Sequence, residues 1–329
     1  MPRSITAAEL RRRRRGLVGW VLGTLAAGGS VVWAYQLLRE SEAVQNLLAR
    51  MPPQLMALIG VDPDLLLTAG GFVQLQLYGF IAPLMLLTFA IALGAAATAG
   101  EEEDRTIDLL LALPLRRERV ILEKFLALTA LVFVVVVTFF VVLVVGNVTY
   151  ELGLSWRGIA ATHVGLFLLA LLHGGLALAV GAGTGNRAWA AAGSAVVAVG
   201  SFLLHIFAPF HSAVRTVATL TPYDWYVRRM PLLNGFSDGQ PRLVIGTVLI
   251  LAAAMLAFRR RDLQTVIPWL DRFHRRVRVD GSRVSRPRGS RLLTSAYGKA
   301  LWFRRRSIVA WTLGLCGIAV LTMPVSYTH

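Results

Sequence analysis

The chain is poor in cysteine and in charge, and each shortage excludes something. Its one cysteine, Cys316, rules out an internal disulfide framework and any zinc site built from several thiolates. Charged residues fill only 16% of the 329 positions while hydrophobic ones fill 56%, too little polar sequence to clothe a soluble domain of this length. No GxxxxGK[ST] loop occurs, so no phosphate cradle is expected. Its nearest imitation, GAGTGNR at 181–187, lacks the lysine and reads as small residues at a helix interface. Asp, Glu, Lys and Arg are missing from the interiors of the first six apolar runs, which removes the ionisable sites that ion-driven carriers use for coupling. Neither a Ser-His-Asp arrangement nor paired carboxylates can be placed in those runs. His163 and His173 stand ten residues apart, on different faces of one helix, and read as hydrogen-bonded polar groups inside a bundle rather than metal ligands. No metal and no cofactor is expected.

What the sequence has in abundance is apolar length. Runs at 17–35, 72–99, 126–146, 159–183, 188–208, 243–258 and 307–324 approach or exceed the roughly 20 residues that cross a hydrocarbon core. The net charge of +16 comes from where the cations sit. With a cytoplasmic N-terminus, 27 of the 34 Lys and Arg fall on the inner side, which is the positive-inside asymmetry of a multi-pass protein and makes nucleic acid an unneeded partner. Five arginines before the first run also suit a secretory signal, but the run is too long and no small-x-small site follows, so an uncleaved first span is expected. Residues 1–16, with Arg11 to Arg15, read either as a basic interfacial elbow helix on anionic lipid headgroups or as a solvated topology signal. Residues 41–66 read as short surface helices broken by Pro52, Pro53 and Pro63, and the outer stretch 209–242 as broken helices dipping back toward the bilayer.

One charged stretch stands between two spans: AGEEEDRTIDLLLALPLRRERVILEKF, residues 99–125. Glu101 to Asp104 suit a helix N-terminus, Ile107, Leu110 and Leu111 share one side of the short helix that follows, and Pro114 stops it. A solvated hairpin would explain Arg116, Arg117, Arg119 and Lys124 but not the leucines, which need a partner. The stretch resembles the cytoplasmic hairpin in permease subunits of type-2 ATP-binding-cassette exporters, in which AGEEE, a threonine, LLLALP, an arginine and a lysine recur. LTPYDWYVRRMPLLNG at 220–235 supports the likeness, and Arg105 departs from it, standing where glycine commonly precedes the threonine. The tandem form resembles the polyketide-antibiotic and multidrug exporters. This resemblance implies an all-α polytopic protein of the bacterial cytoplasmic (inner) membrane, without an ATPase site of its own, that exports an apolar or amphipathic compound. A separate dimeric ABC ATPase would dock on Glu101, Glu102, Glu103, Thr106, Leu109, Leu110, Leu111, Pro114, Arg117 and Lys124. An ion-coupled carrier, or a membrane assembly or immunity protein without transport, are the competing readings.

The chain also repeats itself. RRRGLVGWVLG at 13–23 and RRRSIVAWTLG at 304–314 agree at seven of eleven positions, with Trp20 in register with Trp311. Two basic span starts obey the same membrane rules, yet the shared Trp and Gly favour duplication. The expected organisation is a six-span permease half over 17–262, with its hairpin at 100–125, a basic linker over 263–303, and from 304 the first span of a second half. The terminal PVSYTH, 324–329, matches an in-frame reading of a sequencing adapter, so the natural chain is expected to continue; a genuine short C-terminus is the alternative.

Overall fold

The computed structural model describes residues 5–41, 63–100 and 117–260. The surface helices expected before 63, the hairpin residues 101–116, the linker and the repeat from 304 lie outside the described residues. Among the described residues the protein is all helical, and six helical stretches are long and apolar enough to cross a membrane: Glu9–Glu40, Ala69–Gly100, Glu118–Thr149, Trp156–Thr184, Arg187–Phe207 and Gly239–Arg259. They coincide with the first six apolar runs, so the protein is an all-α, multi-pass membrane protein.

The first helix, α1 (Ile5–Glu40), differs from the expectation of a separate elbow. Residues 5–16 run straight on into the first span. Ala, Glu, Leu and Arg are strong helix formers, no proline intervenes, and Gly16 alone costs only about 1 kcal/mol. At 36 residues α1 is about 54 Å long, well beyond a hydrocarbon thickness of about 30 Å, so its arginines clear the apolar zone without a bend.

The second span is composite. After α2 (Pro63–Leu67), the Thr68 hydroxyl accepts the Gly71 N–H at 3.0 Å and starts α3 (Ala69–Val73). A π-helical turn, Gln74–Ile81, leads into α4 (Ala82–Ala95), and a second π turn, Ala96–Gly100, ends the span. Third and fourth spans are α5 (Arg117–Thr149) and α6 (Trp156–Thr184), joined by a loop that Asn147 clamps through two hydrogen bonds with the backbone of Leu154. The Gly-rich 181–187 stretch makes the next turn. Gly185 caps α6 at φ +63°, a left-handed conformation natural only to glycine, and the Asn186 side chain accepts the Trp189 N–H to start α7 (Arg187–Phe207).

Three short helices follow: α8 (Ser212–Ala218), α9 (Pro222–Val227) and α10 (Pro231–Asn234). The sixth span is α11 (Gly239–Arg260). The central helix is α6, which packs on α4, α5, α7, α10 and α11, and α1 lies against α5. Where α4 crosses α6 the seam is built from Ala90 and Gly94 against Gly174 and Ala177, which lets the two backbones approach closely.

Candidate functional site

Alternating spans place Gly100, Arg117 and the arginines of α1 at one end of the bundle, and α8–α10 at the other. At the arginine end three helices are tied together around the root of the 101–116 segment. Thr6 Oγ1 donates to the carbonyl of Glu123 at 3.1 Å, joining α1 to α5. Glu118 of α5 pairs with Arg259 of α11 at 3.1 Å, and Arg119 with Glu123 at 3.0 Å. Lys124 is buried, 1% exposed, with Glu9 and Arg13 of α1 and Leu93 and Ala97 of the second span around a crevice of about 10 Å³, room for a single water. Glu9 is itself buried and pairs with Arg13 at 3.0 Å.

A buried ammonium persists only where charge and hydrogen bonding compensate its desolvation. Glu9 brings a carboxylate to the same crevice. Of the residues expected to couple to an ATPase, the structure therefore places Lys124 in this junction and Arg117 at the first position of α5. Glu101, Glu102, Glu103, Thr106, Leu109, Leu110, Leu111 and Pro114 lie outside the described residues.

A wider recess lies elsewhere, between the second and fifth spans. This groove of about 330 Å³ is walled by Leu84, Leu87, Thr88 and Ile91 on α4 and by Ala195, Val199 and Leu203 on α7. Its far end is aromatic: Phe80 and Phe202 approach to 5.8 Å between ring centres, and Phe202 and Tyr223 to 5.2 Å. Groove residues Phe80, Leu84 and Leu203 are exposed, so it opens sideways toward whatever surrounds the bundle. An apolar lining of this size suits an apolar or amphipathic guest of drug-like dimensions.

Hydropathy does not disclose the polar contacts beside that aromatic end. Gln74 Oε1 accepts the Leu232 N–H at 2.9 Å, and Tyr78 Oη meets His163 Nε2 at 2.9 Å while His163 Nδ1 meets the Ile159 carbonyl at 2.7 Å. Asp224 holds Arg228 through Nη2 at 2.8 Å and His205 through Nδ1 at 3.3 Å. Burial alone would raise the Asp224 carboxyl, but the hydrogen bonds from His205 and Arg228 and the Arg228 charge together hold it below its ordinary value.

A carboxyl depressed in the fold contributes stability that is present above its unfolded value, about 3.9, and is lost as pH falls through the folded value. The α9–α10 turn is thus expected to resist proteolysis equally at pH 7 and 5, and to become susceptible in stronger acid. Asp224→Asn should be susceptible already at pH 7, with a flat profile through the same window. Limited proteolysis with an acid-tolerant protease, read by mass spectrometry, checks both.

Comparison with known proteins adds one finding. Residues 3–263 match the family described as ABC-2 family transporter protein. No curated protein matches the chain.

Proposed function

Because the chain belongs to the ABC-2 family of transporter proteins, an ABC-type permease family that pairs with an ABC ATPase subunit, we propose that it is the transmembrane permease of an exporter. It moves an apolar or amphipathic, antibiotic- or drug-like compound outward across a bacterial inner membrane. The groove between the second and fifth spans carries this reading, since it offers such a guest about 330 Å³ of apolar wall at mid-span depth. The N-terminus is cytoplasmic, Arg11 to Arg15 lie among anionic headgroups, and ATP is hydrolysed by a separate ATPase dimer.

Coupling in this reading runs through Glu101, Glu102, Glu103, Thr106, Leu109, Leu110, Leu111 and Pro114, and enters the bundle at Arg117 and Lys124. A push on the 101–116 segment reaches α5 directly at Arg117. It reaches α1 through the Thr6–Glu123 hydrogen bond and α11 through Glu118–Arg259. Three spans therefore receive the displacement at one level.

The test fills the groove. Ala195→Trp puts an indole into it from α7, where a bulky ring and an apolar guest compete for the same volume. In inverted membrane vesicles holding the protein with its ABC ATPase, ATP-driven uptake of a fluorescent apolar compound is expected to fall by about tenfold or more. ATPase recovery should stay normal. Normal uptake by Ala195→Trp would remove the groove from the substrate path.

A further inference from the structure

The second span loses its α-helical register where it meets the segment between α7 and α11. Residues Gln74–Ile81 form the π turn, and Pro83 follows as the second residue of α4. Proline has no N–H to give. In α register that N–H would have gone to the carbonyl of Gly79, four residues back; in π register it would have gone to the carbonyl of Tyr78, five back. Those two carbonyls are the ones that accept side-chain hydroxyls from α9. Tyr223 Oη donates to the Gly79 carbonyl, and Tyr226 Oη donates to the Tyr78 carbonyl at 2.8 Å.

Tyr78, Tyr223 and Tyr226 are buried and Gly79 is half-buried, so without these hydroxyls a carbonyl would stand unsatisfied among apolar side chains, which is costly inside a membrane protein. Tyr223 does a second thing. Its ring closes the aromatic end of the groove against Phe202, with His205, on the same helix as Phe202, at 5.3 Å between ring centres.

We propose that Tyr223 and Tyr226 are positioning residues of a gate: by donating to the two carbonyls between which the one hydrogen bond missing at Pro83 falls, they latch α9 over the aromatic end of the groove. The groove opens toward that end only when the latch releases. Release has a built-in partner motion. Returning residues 74–81 from π to α register moves the orphaned carbonyl from Tyr78 to Gly79, so the span and the gate change state together. The gate deepens the transport reading by naming what closes the substrate path, but it is measured without any substrate.

Thr88 lines the groove and accepts a reporter thiol. In a Cys316→Ser background carrying Thr88→Cys, sealed vesicles with the ABC ATPase present and no nucleotide are exposed to a membrane-impermeant charged maleimide on the side bearing α8–α10. Tyr223→Phe and Tyr226→Phe, singly and together, keep the rings and remove only the hydroxyls. Labelling of Cys at 88 is expected to speed up about tenfold, the factor set by losing one hydrogen bond to a buried acceptor. Adding Pro83→Ala, which restores an N–H donor, should return the rate most of the way to that of the parent. Labelling unchanged by loss of the hydroxyls, even with a lowered Tm, would reduce the tyrosines to packing residues and overturn the gate. Failure of Pro83→Ala to rescue would overturn the latch. Labelling reads the gate whether or not the groove carries substrate, so a failed Ala195→Trp export test and a failed labelling test point to different errors.

Discussion

Changing Leu110 and Leu111 to Asp together is expected to leave the protein in the membrane at normal amounts while the ABC ATPase no longer copurifies and export stops. Both leucines fall between Gly100, the last residue of the second span, and Arg117, the first of α5, in a stretch too charged to be hydrocarbon. Insertion reads the spans, which the substitutions leave alone. Docking, in the proposed reading, depends on the leucines. Two carboxylates forced into an apolar protein–protein groove without counter-charges cost several kcal/mol, and each loss of about 1.4 kcal/mol lowers affinity tenfold. The measurement is ATPase recovery with an affinity-tagged permease, alongside efflux of a fluorescent apolar compound. Full recovery and full efflux would mean that the stretch is a solvated hairpin.

The junction at Lys124 gives that docking a consequence inside the membrane. A leucine-bearing segment tied to α5 alone would move one helix. Here Thr6, Glu9 and Arg13 of α1, Glu118 to Lys124 of α5 and Arg259 of α11 meet at one level. The groove wall on α4 belongs to the span that ends at Gly100, on the other side of the same segment. A displacement entering between Gly100 and Arg117 is thus delivered to the groove wall and to the tied helices at once.

The spans were legible because membrane insertion is set by apolar length, which any window along the sequence records. The fate of the basic N-terminal stretch was not, since hydropathy sees a boundary at Gly16 where helix propensity sees none. Register was hidden for a related reason. Gln74–Ile81 is too short and too apolar for its periodicity to separate a π turn from an α turn, and only Pro83 hinted that some carbonyl nearby would need another donor. That donor came from Tyr223 and Tyr226, about 140 residues on, a pairing that no local pattern contains. The groove is equally non-local. Leu84 and Leu203 look like ordinary lipid-facing leucines until the second and fifth spans are set side by side. Lys124 was legible as a cation of the hairpin, but its burial beside Glu9 depends on α1 continuing as one helix past the membrane surface.

The seam that makes this arrangement possible supplies the other large expected effect. A Cβ added to Gly94 would lie 2.1 Å from the carbonyl oxygen of Gly174 and 3.1 Å from the Ala177 methyl. The first obstacle is backbone of the central helix, which cannot swing aside as a side chain can. Helices in a membrane gain little from excluding lipid and depend on close packing for their association, so a forced separation here is not recovered elsewhere. Gly94→Val is therefore expected to cost about 3 kcal/mol, the upper range for overpacking, and to lower the Tm in detergent by about 10 °C. Gly200→Ala is the matched control. It sits on α7 with nothing within 4 Å of the added methyl, and should shift stability by no more than about 0.5 kcal/mol. Because α4 carries Leu84, Leu87, Thr88 and Ile91 on its groove side, parting it from α6 also moves one wall of the groove. Export by Gly94→Val should fall even at temperatures where the variant remains folded, while Gly200→Ala exports normally. A Gly94→Val protein that melts and exports like the parent would show that α4 and α6 do not meet backbone to backbone, and the groove geometry built on that contact would fall with it.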